Sequence, residues 1–172
     1  MAYYRTRTYL AADWDNDKDA IDKLREWNDS PNWRLDFTDA HDLTQSNDSS
    51  LNCTIKASLG FRMNHSKTFV LIVGAKTKSL RAGSCIYCKH YDWNKHGCSN
   101  DRSTSFKSFI EYECDKAVRD GLKIVVIYNY SFVDRSKCPE VVKSEGKHVA
   151  AYHWDGYAKK WNYSEIRDAI MD

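Results

Sequence analysis

Residues 68–74 read TFVLIVG. Phe69 through Val73 are five apolar side chains in a row, with neither the period of a surface strand nor that of a surface helix. Both faces of such a segment need cover, as in the centre of a parallel sheet. Residues 123–129, KIVVIYN, repeat the pattern. Parallel strands require a crossover, and the chain between these two is long enough to supply a helix.

Working outward, residues 5–13 (RTRTYLAAD) form a first strand, with Thr6, Thr8 and Leu10 alternating against Arg5, Arg7 and Tyr9 before Ala11-Ala12. Asp15 and Asn16 suit the start of a helix. Ala20, Ile21, Leu24 and Trp27 then recur at helical spacing, and Ser30-Pro31-Asn32 ends the run. A short second strand is expected at 33–38 and a polar loop at 39–48. Ser49-Ser50 would cap a second helix bearing Leu51, Ile55 and Leu59. A third helix is expected at 104–120, stopped by Gly121. A last strand at 149–154 and a last helix at 163–171 complete the pattern.

This alternation predicts an α/β fold of three layers, a flavodoxin-like five-stranded, mostly parallel sheet in the order 2-1-3-4-5 with helices on both faces. Ligands of such sheets bind beyond the carboxyl ends of the strands. The candidate positions are Ala12, Asp13 and Trp14 after strand one, Asp39 after strand two, and the loop after Gly74. Residues 76–103 form an unusually long connection, and long connections tend to carry function.

The 172 residues carry 26 Lys and Arg against 24 Asp and Glu, so no basic footprint for nucleic acid is expected. The longest apolar run falls far short of the ~20 residues of a membrane span. The N-terminus lacks the apolar stretch of a signal peptide. The expected location is cytoplasmic, with reduced cysteines and no membrane partner.

One carboxylate breaks the helical pattern. At about 100° per residue, Phe106, Phe109, Ile110 and Ala117 fall on one side of the third helix, with Cys114 and Val118 at its margin. Glu111, Asp115 and Arg119 fall opposite, but Glu113 lies within the apolar stripe. Buried carboxylates need partners, and burial raises their pKa. Two readings stand open at this point: a structural ion pair, or a carboxylate held at a crevice to grip a ligand. There is no G-x-G-x-x-G, no G-x-x-x-x-G-K-[ST] and no G-x-S-x-G, which withdraws support from a dinucleotide fingerprint, a P-loop and a nucleophile elbow. Strand three ends Val73-Gly74-Ala75, without the phosphate-accepting Asp of a receiver domain.

Three stretches together resemble a TIR domain: Thr8-Tyr9-Leu10-Ala11-Ala12-Asp13-Trp14, the buried third strand, and Phe109-Ile110-Glu111-Tyr112-Glu113. More closely, the chain is similar to the TIR-like proteins of bacterial antiphage defence, the Thoeris type. The family's helix motif is an aromatic residue, usually Trp, four positions before a catalytic Glu; here Phe109 stands in place of the Trp. The resemblance spans nearly the whole chain as one TIR-like domain, 1–172, apart from the insert at about 76–103.

What the resemblance implies is specific. Family enzymes cleave the nicotinamide–ribose bond of NAD, and several release a cyclic or otherwise modified ADP-ribose signal that an effector reads. Glu113 would be the catalytic residue, with Ala12, Asp13, Trp14, Asp39, Phe109 and Tyr112 around the substrate. NAD would be substrate rather than cofactor. Self-association on activation, a phage-derived trigger and an effector linked through a diffusible nucleotide are the implied partners. Two other functions stay open: a non-catalytic TIR-like interaction module, and a nucleoside deoxyribosyltransferase-like enzyme whose Glu is a nucleophile.

Within the insert, Cys85-x₂-Cys88 followed by Cys98 suits a structural zinc clip, with His96, His90 or Cys114 as a fourth ligand. A reduced anchoring cluster or a redox-sensitive one are the competing readings.

Overall fold

The computed structural model describes residues 7–31, 37–39 and 51–172, with only the backbone at 37–39. The expected loop at 39–48 lies outside the described residues except for Asp39, which belongs to a strand, and the start of the second strand lies outside them too; the second helix has Leu51 at its N-cap position in place of the expected Ser49-Ser50. Strand β1 runs Arg7–Ala11, helix α1 Lys18–Asp29 and strand β2 Phe37–Asp39. Helix α2 follows at Asn52–Asn64 and strand β3 at Ser66–Val73. The connection after β3 holds two short 3-10 turns and a pair of two-residue strands, β4 (Tyr91–Asp92) and β5 (Gly97–Cys98). Helix α3 is Phe109–Arg119, strand β6 Lys123–Tyr128 and strand β7 Lys147–Ala150. An antiparallel hairpin, β8 (Tyr152–Asp155) and β9 (Ala158–Trp161), precedes helix α4 at Tyr163–Met171.

The main sheet has five strands in the order β2-β1-β3-β6-β7, every pair parallel. In order along the chain this is 2-1-3-4-5, the arrangement expected from the alternation. Its centre is β3 against β6, with Leu71 opposite Val126 and Ile72 opposite Ile127. Successive side chains of a strand point to opposite faces, so the continuous apolar run feeds two cores at once. Tyr9, Phe69, Leu71 and Val126 pack with Leu59, Met63 and Ile110 from α2 and α3. Leu10, Val70, Ile72 and Ile127 pack with Ile21 and Leu24 of α1 and Ile166 of α4.

Three expectations need correction. The third helix begins at Phe109 rather than 104, because Ser108 caps it. Its hydroxyl accepts the Glu111 amide at 3.1 Å, and the Glu111 carboxylate accepts the Ser108 amide at 2.7 Å. Phe106 therefore precedes the helix and is 56% exposed instead of joining the apolar stripe. The last sheet strand ends at Ala150. Residues 152–155 instead pair with 158–161 across a Gly156-Tyr157 turn in which Gly156 takes a positive φ of 60°.

Candidate active site

Glu113 sits where the helical pattern places it, on the face of α3 turned to the sheet, and is 4% exposed. The strand beneath it supplies the partner. Tyr9 of β1 is fully buried, stacks on Phe69 with centroids 6.0 Å apart, and donates its hydroxyl hydrogen bond to Glu113 Oε1. Of the two readings left open, the ion pair has no counterpart among the described residues; the partner there is a neutral hydroxyl. Burial pushes the Glu113 carboxyl up to about 8, against the opposing pull of the Tyr9 hydrogen bond. Burial, and then the neighbouring Glu113, drive the Tyr9 phenol above its usual range.

Glu113 lines a cleft of about 180 Å³. Ala12, Asp13, Trp14 and Asp15 line it from the loop after β1. Ser108, Phe109 and Ile110 contribute the start of α3, and Leu80 and Ala82 a further part of the wall. That wall is pinned to the helix. Ala82 O accepts the Phe109 amide at 2.8 Å. Gly83, at φ +97°, lies so close that a Cβ there would stand 2.6 Å from the Phe109 ring. The cleft thus lies at the carboxyl end of β1, where the strand order reverses between β1 and β3.

The other expected site residues divide. Asp13 is buried at the cleft, but its carboxylate is engaged by its own loop. Oδ1 accepts the amides of Asp15 and Asn16 at 3.2 and 3.3 Å, and Oδ2 accepts Asn16 Nδ2 at 2.7 Å. Trp14 is half-buried at the rim, with the Arg25 guanidinium 5.1 Å from its ring centroid. Phe109 is half-buried and faces the cleft. Asp39 closes β2 opposite Leu10, and its side chain lies outside the described residues. Tyr112 does not line the cleft. One residue before Glu113 is a 100° turn of the helix, and its hydroxyl lies against α2, 2.7 Å from where a Cβ on Gly60 would be.

Residue-by-residue reading missed a second buried acid nearby. Asp17, 2% exposed, accepts Asn129 Nδ2 at 3.0 Å, and burial pushes its carboxyl up to about 6. Asn129 follows β6, and Gly74 follows β3. A Cβ at Gly74 would stand 1.9 Å from Asp17 Oδ1, so glycine is what lets the acid sit at this strand end. Gly74→Ala is expected to displace Asp17 and cost about 1–3 kcal/mol, read as a lowered urea midpoint at unchanged slope. An unchanged midpoint would show that Asp17 moves aside freely.

In the insert, Cys85, Cys88, Cys98 and His90 line one small pocket, and α2 adds Cys53. Cys114 and His96 are not fourth members. Cys114 is fully buried in the core under α3, and His96 is exposed in the β4–β5 turn at φ +49°. All six cysteines are free thiols. Among the described residues, no three His, Cys, Asp or Glu side chains gather into a group that would hold a metal ion as placed. Among them, too, no helix is long and apolar enough to cross a membrane.

No curated protein matches the chain. Residues 2–82 match the family model described as Thoeris protein ThsB, TIR-like domain, a span that runs from β1 to the cleft wall at Ala82 and stops before α3. With the parallel sheet in its 2-1-3-4-5 order, the chain is thus similar, over a little under half of its length, to the TIR-like domain of Thoeris protein ThsB.

Proposed function

We propose that the cleft breaks the nicotinamide–ribose bond of NAD and passes the ADP-ribosyl group on as a cyclic or modified signal nucleotide. The observation that carries this reading is Glu113, buried in the wall of a cleft at the strand-order reversal and held by a neutral hydroxyl. Structural buried acids are commonly paired with a cation; among the described residues this one is not, which supports a group kept for positive charge brought by a ligand. NAD brings that charge. Its nicotinamide ring is cationic and leaves as a neutral base, and the ribose carbon becomes oxocarbenium-like, as in glycoside hydrolysis. Tyr9 occupies Oε1, which leaves Oε2 to meet a ribose hydroxyl and the developing charge. Trp14 and Phe109 offer aromatic faces at the rim for nicotinamide or adenine. A nucleotide that fills the cleft displaces water from around the sugar, which favours capture by an atom of the same nucleotide over hydrolysis. In this reading the protein is cytoplasmic, assembles with itself on activation by a phage-derived trigger, and reaches its effector through the released nucleotide.

The decisive test is mass spectrometry of small molecules from phage-infected cells carrying the wild type or Glu113→Gln. An ADP-ribose derivative found only with the wild type supports the reading. The same derivative in both samples, or protection with none in either, overturns it. A glutamate fixed by Tyr9 with one oxygen free also suits a nucleophile. A sugar adduct on the Glu113 peptide would move the assignment to a deoxyribosyltransferase-like enzyme.

Tyr9→Phe provides a further prediction. The hydrogen bond pulls the Glu113 carboxyl down, so its removal raises that pKa further. If the carboxylate form is active, nicotinamide release rises with pH through about 8 in the wild type. In Tyr9→Phe the rise should move to higher pH by on the order of one unit, with about a tenfold loss near neutrality. A uniform loss at every pH would show that the hydroxyl is only structural.

A further inference from the structure

We propose that Cys53 and Cys98 form an oxidant-driven disulfide that ties helix α2 to the insert beside the cleft. Cys53 opens α2 and Cys98 ends the short strand β5, yet both line the same pocket and both are half-buried rather than sealed. Arg102 stands at that pocket. Its Nη1 donates to Cys53 Sγ at 3.5 Å and to Thr54 Oγ1 at 3.5 Å. Burial is the largest single influence on Cys53 and works against its ionisation, but the Arg102 hydrogen bond, the Thr54 hydrogen bonds and the Arg102 charge together outweigh it and hold the thiol below its usual range. Arg102 in turn feels the charge of Cys53 first and then of Cys98. A partly exposed thiol beside a cation, with a second thiol in the same pocket, is the arrangement of a peroxide-sensitive cysteine and its resolving partner.

Cys88 is half-buried in the same pocket, but the thiols whose charge reaches Arg102 are Cys53 and Cys98, and the other three are placed differently. Cys85 is buried, and its sulfur accepts the Ser105 amide at 3.2 Å, which anchors the chain just before α3. Cys114 and Cys138 are sealed in the core. The segment carrying Cys98 is held by two-residue strands, with Tyr87 and Trp93 68% and 65% exposed, so it lacks a core of its own. A covalent tie is what such a segment gains most from.

The chemistry balances with a hydroperoxide as oxidant. The Cys53 thiolate attacks one peroxide oxygen, the O–O bond breaks, and hydroxide leaves, giving the sulfenic acid. The Cys98 thiolate then attacks that sulfur, the S–S bond forms, and the second hydroxide leaves. Two thiols lose two electrons in all, and hydrogen peroxide becomes two waters.

The test treats the intact, reduced protein with one to a few equivalents of hydrogen peroxide, alkylates it, and maps peptides by mass. The expected result is loss of two alkylatable thiols, a Cys53–Cys98 crosslinked peptide, and reversal by dithiothreitol. Cys98→Ser should stop Cys53 at a sulfenic acid that dimedone traps. Arg102→Gln, which leaves every thiol in place, should slow Cys53 alkylation at neutral pH, because the cation and donor that favour the thiolate are gone. No crosslink, a Cys85–Cys88 crosslink, or a native mass heavier by one zinc ion with the thiols protected would each overturn the proposal. The readout is thiol chemistry, so its outcome does not depend on NAD cleavage.

Discussion

Glu113→Gln is expected to lower nicotinamide release from NAD by at least about a hundredfold while leaving the protein folded. Gln matches Glu in shape, and its carbonyl oxygen can still accept the Tyr9 hydroxyl, so the cleft keeps its form. What disappears is the capacity to carry negative charge. Removing one preorganised group aimed at developing charge costs roughly 10²–10³ in rate, and a full carboxylate on a buried side chain belongs at the upper end. The measurement is nicotinamide release by the activated wild type and variant, with unfolding followed on the same samples. A variant that retains full rate removes Glu113 from the reaction. A variant that also still protects infected cells favours the non-catalytic interaction module, in which the cleft is incidental and surface changes destroy protection.

How far Glu113 and the sheet were legible follows from what local pattern encodes. Phe69 through Val73 announce a two-sided strand because both faces demand cover, and the two cores on either side are that demand met. Glu113 stands out because a charge interrupts an apolar stripe. Its partner does not stand out. Tyr9 is 104 positions away, and alternation says only which face of β1 it occupies. Asp17 over Gly74, and Cys53 beside the insert's thiols, are likewise products of packing between distant segments. Other features had a local signal that the apolar rhythm overrode. Ser108-x-x-Glu111 is a capping box that places the start of α3, and Asp155-Gly156 marks the hairpin that splits the final strand pattern. Tyr112 shows the limit of carrying a motif over whole. Adjacency in sequence to Glu113 puts it a third of a turn away, against α2 instead of the cleft.

The second large effect is on stability, and its sign is opposite to that on activity. Glu113 ionises near its ordinary 4.5 in the unfolded chain but at about 8 when folded, chiefly because burial penalises its charge. The folded protein therefore binds this proton more tightly than the unfolded one. Below pH 4.5 both states are protonated and the site contributes its full stability. As pH rises from there to about 8 that stability is lost, at about 1.4 kcal/mol per unit, and above that value nothing further changes. The wild type should lose several kcal/mol across this window through Glu113 alone. Glu113→Gln carries no proton to lose. The two proteins should unfold at similar urea concentrations at pH 5, and the variant should be clearly the more resistant at pH 9. Asp17, pushed up to about 6, adds a slope of the same sign, but it is present in both proteins and cancels in their difference. Parallel midpoint curves would mean that the carboxylate is already solvated in the folded state, and the electrostatic case for its role in the cleft would fall with them. A widening gap would show that the fold sacrifices stability at neutral and alkaline pH to keep an acid in an apolar wall, as expected where strain serves function.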